Sequence, residues 1–186
     1  KITVEKCVGR LDSLRQKLDG HMPEGTMGIG HTRWATHGRP SDRNSHPHTD
    51  ASGEFVVVHN GIIENYLVLK EDLIAKGHKF VSETDTEVVA HLMAAYYDGD
   101  FEETVKRVLR VIDGSYSLVF MCAKEPEKII CTKKDNPLVI GLGEGENFIA
   151  SDIPAIIAKT RRTFIMSDGE IATVTKDSVW VQDING

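Results

Sequence analysis

The spacing of apolar residues changes character once along this chain, at Gly114, and that change restricts the fold more than any single motif does. Upstream of it, apolar positions recur every three or four residues. Asn65 precedes Leu69 and Leu73, in a stretch closed by Gly77. Thr86 precedes Val88, Val89, Leu92, Met93 and Tyr96, ending at Asp98-Gly99, and Phe101, Val105, Val108, Leu109 and Ile112 end at Asp113-Gly114. These predict three helices, with Asn65 and Thr86 as caps of the first two. Downstream, short runs at 116–122, 128–131, 138–141, 147–150, 170–174 and 179–182 read as strands, interrupted by a short helix over 153–158. Nearer the start, Leu11, Leu14 and Leu18 space a helix that stops at Gly20, and 2–4 and 27–31 read as strands. The β-branched run 55–59 reads as a strand ended by the turn signal Asn60-Gly61. Strands, then helices, then strands, without strict alternation, predict an α+β fold with mainly antiparallel pairing. No repeat, low-complexity tract or linker divides the 186 residues, which predicts a single domain over 1–186.

Composition removes several classes. A net charge of −6 argues against a nucleic-acid binder, which needs a basic stripe. No apolar run reaches the length of a membrane span, and no secretory signal opens the chain. Cys7, Cys122 and Cys131 are odd in number and lack a close pairing motif, as expected of a reducing cytoplasm. The chain opens on Lys1 rather than methionine, so a fragment or a processed product is expected.

Four features carry chemistry. His31, His37, His46, His48 and His59 cluster early, but no HExxH or CxxC pattern supports them, so no metal is expected and loop or supporting roles are favoured. Residues 31–38 (HTRWATHG) set Arg33, Trp34, Thr36 and His37 in one loop. A guanidinium there can clamp a carboxylate through two parallel hydrogen bonds, or the loop can be solvated with Trp34 covering the core. Asn60-Gly61 reads either as a tight turn or as an oxyanion hole, in which the Asn amide and the next backbone N–H meet one developing charge. Residues 82–87 (SETDTE) read as a helix start, which accounts for Glu87 beside the helix dipole. It leaves Asp85 available to meet an ammonium group.

Residues 31–38 with 46–48 (HPH), 56–65 (VVVHNGIIEN) and 82–87, in this order and spacing, resemble the glutamine amidotransferases that use an N-terminal nucleophile. Residues 137–143 (PLVIGLG) and 147–152 (NFIASD) extend the likeness, which covers essentially the whole chain. HTRWATHG is similar to the glucosamine-6-phosphate synthase branch; phosphoribosyl-pyrophosphate amidotransferases keep the HNG and DTE but differ in that loop. The resemblance implies a four-layer αββα sandwich, two antiparallel sheets between helical layers. It implies hydrolysis of glutamine to glutamate and ammonia without a cofactor. The ammonia would pass to a C-terminal sugar-isomerase domain of the same polypeptide, which converts fructose 6-phosphate to glucosamine 6-phosphate in a cytoplasmic homo-oligomer. Carried over by position, Arg33 binds the glutamine α-carboxylate with Thr36 and His37 beside it, and Asp85 binds the α-amino group. Asn60 and Gly61 form the oxyanion hole, and Trp34 gates the ammonia path.

The chain departs from that family at its start. Members begin with a cysteine whose own α-amino group is the base, a balanced pair because the amine titrates near about 7.7–8.0 and the thiol near about 8.5. Here the first residue is lysine, Cys7 does not match the nucleophile position, and Cys122 and Cys131 alternate with apolar strand residues. The expectation is that the nucleophile and the sugar domain lie outside these 186 residues and that the chain alone is inactive. Two alternatives stand beside this one. They are a non-catalytic amino-acid-binding domain and the glutaminase domain of another amidotransferase, such as the phosphoribosyl-pyrophosphate enzyme.

Overall fold

A computed structural model describes residues 1–33 and 38–185. Its elements in chain order are α1 (Leu11–Leu18), β1 (His48–Thr49), β2 (Phe55–Ile63), α2 (Tyr66–Ala75), α3 (Glu87–Tyr96) and α4 (Phe101–Leu109). Then come β3 (Gly114–Cys122), β4 (Ile129–Lys134), β5 (Val139–Leu142), β6 (Asn147–Ala150), a 3₁₀ turn (Ile153–Ala155), β7 (Thr163–Ile165), β8 (Glu170–Val174) and β9 (Val179–Asp183). The named strands pair antiparallel, in a six-stranded sheet β1-β2-β3-β4-β8-β9 and a three-stranded sheet β6-β5-β7. The helices predicted around Gly114 and the strands after it are present, and the fold is α+β.

The period-two alternation of the strands builds the layers. On β2, Phe55, Val57 and Ile63 face one way, joined by Leu118, Phe120 and Ile130 of the neighbouring strands. They pack against Leu73 of α2, Val88 and Leu92 of α3, and Phe101 and Val105 of α4. Val58, Val119, Cys131 and Ala172 face the other way and meet Leu138 and Ile140, so the second core lies between the sheets. The opposite face of β5 is covered by the segment after the 3₁₀ turn: a Cβ on Gly141 would touch Thr160 and Ile156. The order is therefore helices, sheet, sheet, with a short turn-like layer on the far side among the described residues.

Several local expectations change. Residues 2–4 and 27–31 keep an alternating exposure, yet neither is assigned as a strand. Asn65 does not cap α2 through its side chain; its amide bridges Val111 O and Asp113 N across to the α4–β3 connection. Thr86 does not cap α3 either, because its hydroxyl is taken by histidines, whereas Asp100 does cap α4 by accepting from Glu103 N. Asn60-Gly61 is not a turn. It lies inside β2, paired through Asn60↔Ser117 and Gly61↔Tyr116, and the strand runs on to Ile63.

Candidate functional site

The last third of β2 forms one wall of a cleft of about 260 Å³. Gly61 has φ of +121°, and a Cβ there would lie 2.0 Å from the Ser115 carbonyl oxygen. No other residue fits, because L side chains avoid this conformation and the oxygen occupies the space. Asn60 precedes it, half-buried, and presents its carboxamide to the cleft.

The opposite wall comes from the loop that feeds α3, and that loop is fixed by buried polar bonds. Glu87 accepts from Val81 N at 2.8 Å, Ser82 N at 2.7 Å and Ser82 Oγ at 2.6 Å. Burial works to raise its pKa, but the hydrogen bonds from His91, Ser82 and the two backbone N–H groups outweigh that and hold it down at about 2. Asn44 ties the loop from the other side, with its amide NH₂ donating to Glu83 Oε2 and its Oδ1 accepting Glu83 N, each at 3.0 Å. Thus braced, Asp85 is 3% exposed, and its Oδ2 accepts the Ile63 N–H at 2.8 Å. Helix-dipole placement of Asp85 is not its main local role; it anchors the end of β2.

A run of histidines forms the third wall. The His31 and His46 rings lie against each other, tilted by 36° with centroids 4.2 Å apart, and His46 meets His48 edge-on at 4.9 Å. Thr86 Oγ1 lies 3.2 Å from His46 Nε2 and 2.9 Å from His59 Nδ1, while Thr84 Oγ1 lies 3.1 Å from His48 Nε2. Burial lowers the pKa of His31 and His46, and it pushes His48 down to about 3, with Lys6 adding to the effect. Among the described residues, no group of three or more His, Cys, Asp or Glu converges to hold a metal ion.

Of the residues singled out in the sequence, Arg33, Asn60, Gly61 and Asp85 line this cleft together, although they are scattered over 53 positions from 33 to 85. Arg33 also donates to Gly38 O at 3.0 Å. Trp34, Thr36 and His37 lie outside the described residues. The cleft also takes in His31, His46, His59, Thr84, Thr86 and Ser115, for which the sequence gave little signal beyond the clustering of histidines. Among the described residues no thiol lines it. Cys122 and Cys131 are buried, Cys131 with its thiol pKa driven up by burial. Cys7 lines a neighbouring cavity of about 760 Å³ that shares His31, Arg33 and His46 with the cleft.

A carboxylate, a guanidinium and an amide beside a glycine N–H around one cleft suit a small zwitterion with a reacting carbonyl. Comparison with known families agrees. A model of the glutamine amidotransferase domain matches residues 31–158, which is more than half of the chain. The chain belongs to the glutamine amidotransferase domain family. This amidotransferase domain is 55% identical over 185 residues to the glutamine–fructose-6-phosphate aminotransferase (isomerizing) of Caldanaerobacter subterraneus subsp. tengcongensis. It is 52% identical over 185 residues to the enzyme of the same name from Clostridium tetani. Each match covers 100% of this chain but 30% of the relative, so the chain spans less than a third of the length of these proteins. Among solved structures, the glutamine phosphoribosylpyrophosphate amidotransferase of B. subtilis, complexed with ADP and GMP, superposes with a TM-score of 0.68. It is 25% identical, over 83% of this chain and 34% of that one. The amidotransferase domain thus shares a fold with both branches and far more sequence with the first.

Proposed function

We propose that this domain hydrolyses glutamine to glutamate and ammonia within a longer polypeptide. There the ammonia would serve a C-terminal sugar-isomerase domain that converts fructose 6-phosphate to glucosamine 6-phosphate. The observation that carries the reading is the gathering of Arg33, Asp85, Asn60 and Gly61 around one cleft. Arg33 pairs with the α-carboxylate of glutamine and Asp85 with its α-ammonium, which leaves the side-chain amide at the Asn60-Gly61 end. When a nucleophile adds to that carbonyl carbon, the oxygen takes up negative charge, and the Asn60 Nδ2 and Gly61 N–H donate to it. Each such donor contributes roughly 2.7–4 kcal/mol. Collapse of the adduct expels ammonia, and water then releases glutamate. The thiol is not Cys122 or Cys131, which are buried in the two cores, and a cysteine preceding Lys1 would supply it. We further propose a cytoplasmic homo-oligomer; no helix among the described residues is long and apolar enough to cross a membrane.

The clamp is tested by calorimetric titration of residues 1–186 with glutamate, and Asp85→Asn is the informative variant. It keeps an acceptor for the Ile63 N–H, so the melting temperature should hold, while losing the charge should weaken binding well over tenfold, about 2 kcal/mol or more. Arg33→Ala should do the same. Unchanged affinity in both variants would sink the clamp. A non-catalytic amino-acid binder would pass this test as well. Glutamine-dependent ammonia release by the full polypeptide separates the two, and its absence would favour the binder.

A further inference from the structure

An oxyanion hole built on a carboxamide has a weakness: the group is a donor at one end and an acceptor at the other, and the two are nearly the same shape. If Asn60 turned over, its oxygen would face the developing negative charge and oppose the reaction. Something must choose the orientation.

His31 is placed to do so. It lies 29 residues upstream of Asn60, yet its Nε2 is 2.7 Å from Asn60 Oδ1. A carboxamide oxygen can only accept, so the ring nitrogen in this bond carries the proton, and Nδ2 is turned away from the ring. The opposite tautomer would accept from Nδ2 and turn Oδ1 outward. The ring is itself held in place: His46 lies against it at 4.2 Å, and His46 Nε2 is tied to Thr86 Oγ1, the hydroxyl that also meets His59 Nδ1. His59 is the residue before Asn60, so the brace closes on the same strand. Burial lowers the His31 pKa against the hydrogen bonds to Asn60 and the His59 backbone, with the Arg33 cation a lesser cause in the same direction as burial, and the ring is kept neutral.

We infer that His31 is a positioning residue whose Nε2–H holds the Asn60 carboxamide with its Nδ2 turned into the cleft. The inference rests on the amidotransferase reading of Asn60. His31 is not the base, because the nitrogen nearest the reacting end is already committed as a donor.

The test is a double-mutant cycle on glutamine-dependent ammonia release by the full-length protein. Asn60→Ala should lower kcat by roughly 10²–10³ with little change in KM. His31→Ala should lower kcat by roughly 10–100-fold, the range known for side chains that orient a metal ligand and taken over here for an orienting bond to Asn60. The double variant should be no worse than Asn60→Ala alone, since a residue acting only through Asn60 has nothing left to do. His31→Gln, whose amide nitrogen reaches about as far as Nε2, should recover most of the loss. If Asn60→Ala leaves kcat intact, the oxyanion reading falls and this inference with it. If Asn60→Ala is slow but His31→Ala is not, or if the two losses multiply, the positioning role alone is overturned. Should the alanine variant fail to fold, the ¹⁵N shifts of His31 in the unaltered protein still decide. A protonated Nε2 is expected, and a protonated Nδ1 with bare Nε2 would overturn the assignment.

Discussion

Helices α1 and α3 make a pair from which to learn what a sequence pattern guarantees. Both show apolar residues at helical spacing, and both form. In α1 no residue is buried, and Leu11 is 60% exposed. In α3 the seven residues from Glu87 to Met93 are all buried, including a carboxylate and an imidazole. Periodicity sets the backbone, but burial depends on what lies opposite. α3 rests on the six-stranded sheet and two helices, and its polar residues point into loops that need their bonds. A buried helix segment carries a polar side chain at low cost where it is answered, as Glu87 is by Val81 N–H, Ser82 N–H and the Ser82 hydroxyl.

That contrast can be broken in four places. The largest effect is expected at Glu87. Alanine there removes the acceptor of the buried Ser82 N–H and of Val81 N–H and leaves the Ser82 hydroxyl only Thr84 Oγ1, and stability in urea should fall by about 4 kcal/mol. A loss below about 1 kcal/mol would mean that water answers these donors and the buried network matters little. Next, Leu92→Ala should cost roughly 3 kcal/mol, the usual range for a truncated core leucine.

The third place is the pH dependence. His48 is held neutral in the fold, with its pKa lowered to about 3. Its contribution is full above the unfolded value and is lost as pH falls, because the unfolded chain takes up the proton first. From pH 7 to pH 5 this amounts to about 2 kcal/mol, with His31 and His46 acting in the same direction. His48→Gln, which keeps an acceptor near Thr84 Oγ1, should flatten that slope in urea titrations at several pH values. A second loss, from Glu87, should begin below its unfolded value and continue toward about 2. A profile flat from pH 7 to 5 would show that the histidines are not desolvated. The smallest effect is expected at Leu11, where alanine should change stability by no more than about 0.5 kcal/mol. A cost matching Leu92→Ala would mean that α1 is docked.

Much of this was legible in advance, and the failures share a cause. The three helices before Gly114 and the short strands after it follow from local spacing, as does the α+β class. The residues 2–4 and 27–31 have the alternation of strands but no pairing, because a strand needs a neighbour that no local pattern supplies. β7 (Thr163–Ile165) was missed since three residues carry too little period to see. Asn65 and Thr86 look like caps in sequence, but distant partners, Val111, Asp113, His46 and His59, claim their side chains. Asn60-Gly61 admitted two readings, and the structure removes the turn. Taken as a turn it would close a hairpin; inside β2 it exposes an amide to a cleft instead. Residue types and motif order pointed to Arg33, Asn60, Gly61 and Asp85, whereas the supporting His31 and His46 depend on ring contacts across the fold.

The glycine in β2 has a counterpart across the ladder. Gly114 has φ of +129°, and a Cβ on it would lie 2.1 Å from the Ile62 carbonyl oxygen, just as one on Gly61 would strike Ser115 O. β2 and β3 therefore fit like a two-toothed key. Sliding β2 by two residues would keep every side chain on its proper face, so the hydrophobic pattern alone would not forbid it. It would, however, bring His59 or Ile63 to the place where no Cβ can stand. The pair thus rejects the slipped alignments that patterning would tolerate, and it fixes Asn60 opposite Ser117 each time the sheet assembles.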